Sequence, residues 1–354
     1  MEMAIAYPDI EVHVACATDE NAEIVRNIAA LYPEAKVVHD HLNVPWTLRL
    51  HMRFRRTTTP PKRHFLLLNR NYFSRFDALV LPESTSLFLK KIGLRRTKFI
   101  RTGHGAGDRQ IVVSPAVGKF DFVLISGKKQ ERRLLELNLS RPGDYAFQGY
   151  PKFELVAKMA ARLPRFFDND RPTVIYNPHF DPEFSSWPLV GMDVLDFFAR
   201  STRYNLIFAP HVRLFHPPLP EKYAPFRRFM DMPNMHIDLG SVRSIDMSYT
   251  MAADIYLGDV SSQLSEFMLK PRPCLFLNPR GTNWKNDANY LSWTLGPVIP
   301  GAEELEKGIE EALASHPALL DRQQQYFAYS FGSSLPFSAR RGADAIVNWM
   351  RAAP

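Results

Sequence analysis

The feature that most constrains the fold of this chain is the alternation of short apolar runs with helix-like stretches along its length. The candidate strands are Glu11–Cys16, Ala35–His39, Ala78–Leu81, Phe99–Thr102, Phe120–Ser126, Tyr145–Gln148, Thr173–Asn177, Asn205–Ala209, Met235–Asp238, Asp254–Leu257 and Cys274–Leu277. The helix-like stretches between them are Glu20–Leu31, Lys128–Leu137, Lys152–Leu163, Val190–Ser201, Ile245–Ala252 and Ser262–Leu269. Strands separated by single helices form parallel sheets joined by right-handed crossovers, so the pattern predicts the α/β class.

The length of 354 residues predicts two domains, because a single hydrophobic core rarely grows to that size. A polar segment flanked by prolines, residues 164–172, has the features of a linker and separates two series of strands. We therefore expect two Rossmann-like, doubly wound domains at 1–163 and 173–333. Their ligand would bind in the cleft between them, at the carboxyl ends of the strands. Residues 334–354 are predicted to form an amphipathic helix that packs back on the first domain.

Composition and the start of the chain predict a cytoplasmic protein. No run approaches the roughly 18 apolar residues that a membrane span requires. The segment Met1–Pro8 lacks the basic and apolar regions of a signal peptide. Cys16 and Cys274 lie in strand-like runs and are interpreted as small core residues, which is typical of a reducing compartment.

The net charge of +7 is concentrated in two stretches. Arg49–His64 carries six Lys/Arg and two His without an acidic residue, and Lys90–Lys98 carries five more basic residues. Such patches attract the phosphates of a nucleotide, an anionic lipid surface or a nucleic acid. A solvated basic face is an alternative interpretation of either stretch.

The stretch from Ala253 to Phe267 contains the most informative candidate site. It reads as an apolar strand, a tight turn and a helix that opens on Ser261 and Ser262. The free N–H groups and the positive dipole end of such a helix suit a phosphate, and the two hydroxyls can add donors. Glu266 lies one helical turn further along the same face. An ordinary serine N-cap explains the same pattern.

Other loops that follow predicted strands carry groups able to move protons or bind phosphate. The candidates are His104 and Gly105, Lys152, Asn177 and His179, and His211 and Arg213. Histidine has the natural pKa for a general base near neutral pH, and the glycines beside His104 would let a substrate approach it closely. The spacing Gly103-x-Gly105-x-Gly107 does not fit a dinucleotide-binding fingerprint. A structural histidine in a glycine-rich turn remains an alternative.

Sequence motifs for metal binding are poorly supported. The chain has no CxxC and no HExxH, and the triplet Asp168-Asn169-Asp170 lies in the predicted linker without a preceding apolar strand. We therefore expect no obligatory metal and no other cofactor. Serine-hydrolase and P-loop signatures are also missing from the sequence.

The order of these motifs resembles the CDP-glycerol glycerophosphotransferase family of wall teichoic acid synthesis, whose members have a GT-B fold. The matching segments are His104-Gly105, Gly149-x-Pro151-Lys152, Tyr176-Asn177-Pro178, Pro210-His211 and Asp259-x-Ser261-Ser262-x3-Glu266. The chain departs from the family pattern where Gly258 and Val260 replace Thr and Tyr, and where Lys152 replaces Arg. The same serine-rich turn is also similar to that of UDP-N-acetylglucosamine 2-epimerases and of sugar-nucleotide glycosyltransferases with this fold.

The resemblance implies transfer of glycerophosphate, or a related polyol phosphate, from a CDP-linked donor to an acceptor hydroxyl, with release of CMP. The acceptor would be a cell-envelope polysaccharide or a lipid-linked polymer. By position, His104 would be the catalytic base, and His211 would contact the donor phosphates together with the two serines. Glu266, in place of the family's Asp, would bind the ribose hydroxyls of cytidine. The further donor-binding candidates are Gly105, Lys152, Asn177, His179 and Arg213.

Two alternatives to this function stay open. One is a GT-B glycosyltransferase that uses a UDP- or CMP-linked sugar to build capsule or lipopolysaccharide. The other is a non-catalytic protein that binds nucleotides or polyanions. Under the transferase interpretation, Arg49–His64 would contact the anionic inner membrane, where lipid-linked acceptors reside, and no nucleic-acid partner is expected.

Overall fold

A computed structural model describes residues 1–57, 59–103, 107, 114–159, 163–332 and 336–352 of the chain. The helices are α1 Glu2–Ala6, α2 Asp19–Ala29, α3 Trp46–Arg55, α4 Lys62–Leu68, α5 Arg70–Phe73, α6 Phe88–Lys91, α7 Lys128–Glu136, α8 Lys152–Met159, α9 Trp187–Arg200, α10 Arg227–Met230, α11 Ser248–Ala252, α12 Ser262–Phe267, α13 Leu305–Phe331 and α14 Ser338–Ala352. The strands are β1 Val12–Cys16, β2 Val37–His41, β3 Ala78–Leu81, β4 Lys98–Thr102, β5 Phe122–Ile125, β6 Tyr145–Phe147, β7 Thr173–Asn177, β8 Asn205–Phe208, β9 Met235–Ile237, β10 Ile255–Gly258, β11 Cys274–Leu277 and β12 Val298–Ile299. Among these described helices, none is long and apolar enough to cross a membrane.

The chain divides into two compact units. Unit 1 comprises residues 1–104, 113–158 and 330–354, and unit 2 comprises residues 105–112 and 159–329. Every strand pair in both units is parallel, which confirms the predicted α/β class.

Unit 2 is a doubly wound six-stranded sheet. Its strand order is β12-β11-β10-β7-β8-β9, so the chain builds outward from β7 in one direction and then from β10 in the other. Strands β7 and β10 are neighbours, and the order reverses between them. In open parallel sheets, ligands bind outside the carboxyl ends of the strands at such a reversal, which makes the ends of β7 and β10 the first place to look for a site.

Helices cover both faces of this sheet, and the central strands are apolar along their whole length for that reason. All five residues of β7 are buried. Val174 and Tyr176 pack into the core on one face with Leu206 and Phe208, whereas Ile175 packs into the core on the other face. Because successive side chains of β7 point to opposite faces of the sheet, this one strand contributes to both cores.

Unit 1 contains two separate parallel sheets, β1-β2 and β3-β4-β5-β6. Residues of β1 and β3 are among those that line a cavity of about 1200 Å³. If these two strands were paired, the two sheets would form a single sheet. Helix α14 packs on the four-stranded sheet, where Trp349 stacks on Phe122 with ring centroids 5.0 Å apart. Residues Ile100 and Ile346 belong to the same small core.

The segment 164–172, predicted as a linker, packs against unit 2. Phe167 is buried, and the Phe166 ring lies 5.0 Å from the rings of both His236 and Tyr249. Within the Asp168-Asn169-Asp170 triplet, Asn169 accepts a hydrogen bond from Asn205 and Asp170 pairs with Arg165. These contacts give the triplet a structural role in anchoring the entry to β7.

Arg272, which lies just before β11, bonds to the chain at the ends of α11 and α12 in unit 2. Its guanidinium donates to the carbonyl oxygens of Thr250 and Ala253 at the end of α11, and of Phe267 and Lys270 at the end of α12. The carbonyls of Thr250 and Phe267 lie in the last turns of the two helices, and those of Ala253 and Lys270 lie just beyond them. Burial lowers the pKa of Arg272 to about 10, and the guanidinium lies over the Phe267 ring at 3.8 Å.

We expect Arg272→Ala to lower the free energy of unfolding by about 3 kcal/mol, because hydrogen bonds from a charged donor to several buried carbonyls are lost together. The matched control is Arg203→Ala, which removes an exposed arginine that pairs with Glu306 and Glu310 and should change stability little. Urea unfolding of both variants checks the difference. Equal losses in the two variants would contradict the capping role.

Candidate functional site

The loops that leave β7, β8 and β10 bring most of the predicted site residues together in unit 2. Asn177 ends β7 and His179 follows it, His211 and Arg213 follow β8, and Ser261 and Ser262 follow β10. Lys152 begins α8 in unit 1. His104 and Gly105 lie outside the described residues, so their predicted roles stay predictions.

Asp259 holds two of these loops together. Its side chain is fully buried, and Oδ2 accepts hydrogen bonds from the backbone N–H of His179 at 2.8 Å and of Ser186 at 2.9 Å. Oδ1 has no hydrogen-bond partner among the described residues. Burial raises the pKa of this carboxyl to about 7, against the lowering effect of the two backbone bonds. The carboxyl of Asp259 is therefore largely neutral below pH 7.

The tautomers of His179 and His211 are set by the backbone. Nδ1 of His179 accepts from the N–H of Asp181 at 3.0 Å, and Nδ1 of His211 accepts from the N–H of Arg213 at 3.2 Å. A neutral imidazole that accepts at Nδ1 carries its proton on Nε2. Each ring therefore carries its proton on Nε2, and the two ring centroids lie 5.8 Å apart.

Phe180 links these imidazoles to a cation. Its ring centroid lies 4.5 Å from that of His179 and 4.6 Å from that of His211, and the Arg213 guanidinium carbon lies 4.1 Å above it. Burial, with a smaller effect of the Arg213 charge, lowers the pKa of His211 to about 4. At neutral pH the His211 ring is thus an uncharged donor beside an exposed, charged guanidinium.

Asn177 has an internal role that the sequence did not reveal. Its side chain is fully buried, and Nδ2 donates to the carbonyl oxygen of Ala209 at 2.6 Å. Oδ1 accepts a long hydrogen bond of 3.5 Å from the hydroxyl of Tyr256. The amide therefore joins the ends of β7, β8 and β10, and its predicted contact with a donor remains a prediction.

Gly258 allows β10 to approach β7 at the site. A Cβ at this position would stand 2.7 Å from the backbone oxygen of Asn177 and 3.0 Å from the hydroxyl of Tyr256. Real Cβ atoms do not approach a backbone oxygen that closely. The glycine that departs from the family pattern is thus required by the packing of its own neighbours.

The start of α12 has the predicted form. Ser261 is the N-cap, and its side chain accepts from the N–H of Gln263 at 3.2 Å. Gly107, three residues beyond His104 in the sequence, lies against Ser262, because a Cβ on Gly107 would stand 3.6 Å from the nitrogen of Ser262. Glu266 is buried on α12. Gln263 in turn donates from Nε2 to the carbonyl oxygen of Ser244 at 2.9 Å.

The arrangement is suited to binding an anion. The Nε2–H of His211 and the exposed guanidinium of Arg213 lie on the loop after β8, and the N-terminus of α12 follows β10, whereas the loop after β7 also carries the exposed carboxylate of Glu183. The large cavity of unit 1 is a weaker candidate, because polar residues in its lining are already paired. His13 and Tyr72 both bond Asp40, and Lys62 pairs with Glu83.

Within the described ranges, no group of three or more His, Cys, Asp or Glu is arranged to hold a metal ion.

No family model matches the sequence, and no curated protein matches it either. Among solved structures, the wall teichoic acid polymerase TagF is similar with a TM-score of 0.61 at 15% identity, over 99% of this chain and 91% of that chain. A TagF variant soaked with CDPG gives a TM-score of 0.60 at 15% identity, over 99% and 90% of the two chains.

A second group of similar structures consists of epimerases. The UDP-GlcNAc 2-epimerase of Neisseria meningitidis bound to UDP-GlcNAc gives a TM-score of 0.56 at 11% identity, over 98% of this chain and 95% of that chain. MnaA of S. aureus with UDP gives 0.55 at 11% identity, over 97% and 98%. The chain therefore has the GT-B-type fold of these enzymes, which confirms the predicted fold and the resemblance to the teichoic acid enzyme at the level of the fold.

The raised pKa of Asp259 predicts a pH dependence of stability. Folding raises this pKa from the ordinary 3.8 to about 7, so the folded protein holds a proton that the unfolded chain has lost. The contribution of this bound proton to the free energy of unfolding is complete below pH 3.8. It is lost as the pH rises to 7, and the loss is on the order of 4 kcal/mol. In Asp259→Asn we expect the unfolding free energy to decline less than in the wild type between pH 5 and 7.

Denaturant unfolding at closely spaced pH values measures this difference. Asparagine keeps an oxygen acceptor for the N–H groups of His179 and Ser186, so the site loops stay attached. Asp170→Asn, at an exposed side chain, is the control and should follow the wild-type slope. Parallel curves for Asp259→Asn and the wild type would show that the carboxyl does not titrate in this window.

Proposed function

We propose that this protein is a phosphotransferase that moves a glycerophosphate unit from CDP-glycerol, or from a related CDP-polyol, to an acceptor hydroxyl and releases CMP. The observation that carries the proposal is the neutral imidazole of His211, with its proton on Nε2, on the same strand-end loop as the exposed guanidinium of Arg213. Such a set of donors fits a pyrophosphate. The likeness to TagF supports the choice of donor, and the acceptor would be a cell-envelope polysaccharide or a lipid-linked polymer.

The proposed reaction is a single displacement at phosphorus. The acceptor oxygen attacks the phosphorus that bears glycerol, the bond from that phosphorus to the bridging oxygen breaks, and CMP leaves with the bonding electrons. The acceptor proton passes to His104. Arg213, the Nε2–H of His211 and the start of α12 stabilise the charge that collects on CMP, each worth ~3 kcal/mol of barrier when well placed.

The position of Gly107 supports the assignment of His104 as the base. Gly107 lies against Ser262, and His104 precedes it by only three residues in the sequence. The proposed base thus lies three residues along the chain from a glycine that packs against the proposed phosphate-binding helix. Because the donors listed above already supply positive potential, we propose turnover without an obligatory metal, which predicts activity in the presence of EDTA.

The alternative donor is a UDP- or CMP-linked sugar. The similarity to epimerase structures solved with UDP and UDP-GlcNAc favours it, since the same strand-end loops would accept either nucleotide. A thermal-shift panel of CDP-glycerol, CDP-ribitol, UDP-GlcNAc and a CMP-sugar separates the two functions. Stabilisation by CDP-polyols above all others supports the proposal, and stabilisation by a sugar nucleotide alone supports a glycosyltransferase. Binding of nucleotides without turnover of any donor would indicate the non-catalytic class.

We expect His104→Ala to reduce CMP release from CDP-glycerol by at least about 100-fold, because general-base catalysis is lost, while the affinity for CDP stays near that of the wild type. Rates are measured with a polyol-phosphate primer as acceptor, and affinity by titration calorimetry. The exposed His39→Ala is the control and should retain full activity. Loss of CDP binding in His104→Ala would overturn its assignment as the base.

We expect Arg213→Ala combined with Ser262→Ala to weaken CDP binding by roughly tenfold or more, because a charge-assisted donor and a hydroxyl near the phosphates are removed. Titration calorimetry with CDP measures the change at low and at physiological salt. Arg203→Ala, an exposed arginine elsewhere in unit 2, provides the control. An unchanged dissociation constant in the double variant would place the nucleotide elsewhere.

A further inference from the structure

The loop that follows β11 brings a second exposed arginine to the candidate site. Arg280 donates from Nη2 to the carbonyl oxygen of Pro182 at 2.7 Å, and Pro182 lies three residues beyond His179 on the loop after β7. Among the described residues, no carboxylate pairs with this guanidinium. A guanidinium has five N–H donors, so most of those of Arg280 are available to a ligand.

Arg280 also lies near Asp259, the carboxyl that holds the loop after β7. Burial raises the pKa of Asp259, and the charge of Arg280 is one of the smaller effects that lower it. Such an electrostatic effect weakens with distance, so the guanidinium stands close to the buried carboxyl. The hydrogen bond to Pro182 and this charge effect together place Arg280 beside the ends of β7 and β10.

The backbone that carries Arg280 is held in one shape by Asn278. The N–H of Gly281 donates to the carbonyl oxygen of Asn278 at 3.1 Å. The Asn278 side chain accepts from the N–H of Thr282 at 2.8 Å and donates to its carbonyl oxygen at 3.0 Å. Gly281 has a φ of +64°, in the left-handed region that favours glycine. The loop is therefore ordered before a ligand binds, which lowers the entropic cost of binding.

Trp284 adds an apolar surface to the same loop, four residues after Arg280. The indole is half-buried and packs edge-to-face on the buried Trp293, with ring centroids 6.0 Å apart. Trp293 in turn contacts Tyr290 at 4.8 Å, so Trp284 rests on a fixed aromatic base. An indole accommodates C–H groups and a guanidinium binds an oxyanion, and a phosphorylated polyol has both kinds of group.

The sheet order places this loop on the side of the site away from Arg213. In the order β11-β10-β7-β8, the loops that carry Arg280 and Arg213 flank the ends of β10 and β7 from opposite sides. The two loops begin about 14 Å apart, which is three strand spacings. In a displacement at phosphorus the acceptor enters opposite the leaving group. Because the proposed CMP leaves on the side of His211 and Arg213, the acceptor approaches from the side of β11.

We propose that Arg280 is a specificity-determining residue, which selects an acceptor that bears a phosphate beside its reacting polyol unit. Arg280 binds that phosphate, and Trp284 packs against the carbons of the polyol. The assignment to the acceptor rests on the proposed function. A neutral polysaccharide would leave the guanidinium without an anion, so a phosphorylated acceptor accounts for more of this surface.

Binding without turnover tests this subsite directly. A short glycerol phosphate oligomer and an uncharged polyglycerol of the same length are titrated into the full chain by calorimetry, without nucleotide. We expect the wild type to prefer the oligomer. Arg280→Ala should raise the Kd of the oligomer at least about tenfold, because charge-assisted hydrogen bonds to phosphate are lost. Arg280→Lys should recover part of the affinity, since lysine keeps the charge without the planar fork. The Kd of CDP should stay near that of the wild type in both variants.

Salt dependence separates the roles of the two side chains. Trp284→Ala should weaken binding of the oligomer about fivefold and leave its salt dependence unchanged, whereas Arg280→Ala should reduce the salt dependence as well. The matched control is Arg322→Ala on α13, which removes an exposed arginine that also donates to one backbone carbonyl, that of Thr294 at 3.2 Å. This control should bind both ligands as the wild type does. Thermal unfolding of Arg280→Ala should match that of the control.

The kinetic signature is a raised KM for the oligomer in Arg280→Ala, with kcat and the KM for CDP-glycerol nearly unchanged. The proposal is overturned if Arg280→Ala binds the oligomer as the wild type does, or if the wild type binds polyglycerol equally well. It is also overturned if the variant loses CDP to the same extent, which would assign Arg280 to the donor. Failure of the proposed function has a different result: CDP does not bind and no CMP is released, while the oligomer titrations still decide whether the subsite exists.

Discussion

The candidate site depends on one buried carboxyl group. Asp259 sits at the end of the strand where the sheet of unit 2 reverses direction, and Oδ2 holds the backbone of His179 and of Ser186. These bonds tie the loop after β7 to the residue that follows β10. The imidazole of His179, its contact with Phe180 and the start of α9 are all positioned from that loop. A side chain that faces no solvent thereby determines the geometry of the groups that do.

The charge states of the site follow from the same burial. Burial favours the neutral form of both acids and bases, so it raises the pKa of Asp259 and lowers the pKa of His211. A charged Asp259 would repel a phosphate, and a charged His211 would compete with Arg213 for the same anion. A neutral His211 leaves Arg213 as the cation of the loop after β8, with the His211 imidazole as a directional donor, and Asp259 becomes neutral as the pH falls below about 7. An anionic ligand is then recognised mainly by geometry, which suits a group that must be released after reaction.

Apolar runs in the sequence located the strands well, because strands buried on both faces are continuous hydrophobic segments. The observed β3, β7 and β11 have the predicted bounds, and the other predicted strands differ by one or two residues at either end. The two-residue β12 was too short to stand out. The long helix α13 was missed because its charged residues obscure the period of its few buried positions, and α3 was treated only as a basic stretch.

The serine-rich turn at α12 could be predicted because Ser261 and Ser262 follow an apolar strand directly. The role of Asp259 could not, although it precedes those serines in the motif, since only the fold brings it to the backbone of a loop some eighty residues earlier. Asn177 has a second role that its place at a strand end does not predict. Its amide is bonded to the neighbouring strands, whereas its predicted contact with a donor stays a prediction.

Gly258 explains how a chain can depart from the family pattern and keep the local geometry. The resembling family has a threonine before the aspartate, whereas this chain has a glycine. The space that the first side-chain carbon would need lies 3.0 Å from the Tyr256 hydroxyl, which also reaches Asn177. The backbone oxygen of Asn177 is nearer still, at 2.7 Å, so the close pairing of β10 with β7 itself requires a glycine here. Replacing Gly258 alone would force Asn177 away from β10, and with it the loop that Asp259 holds.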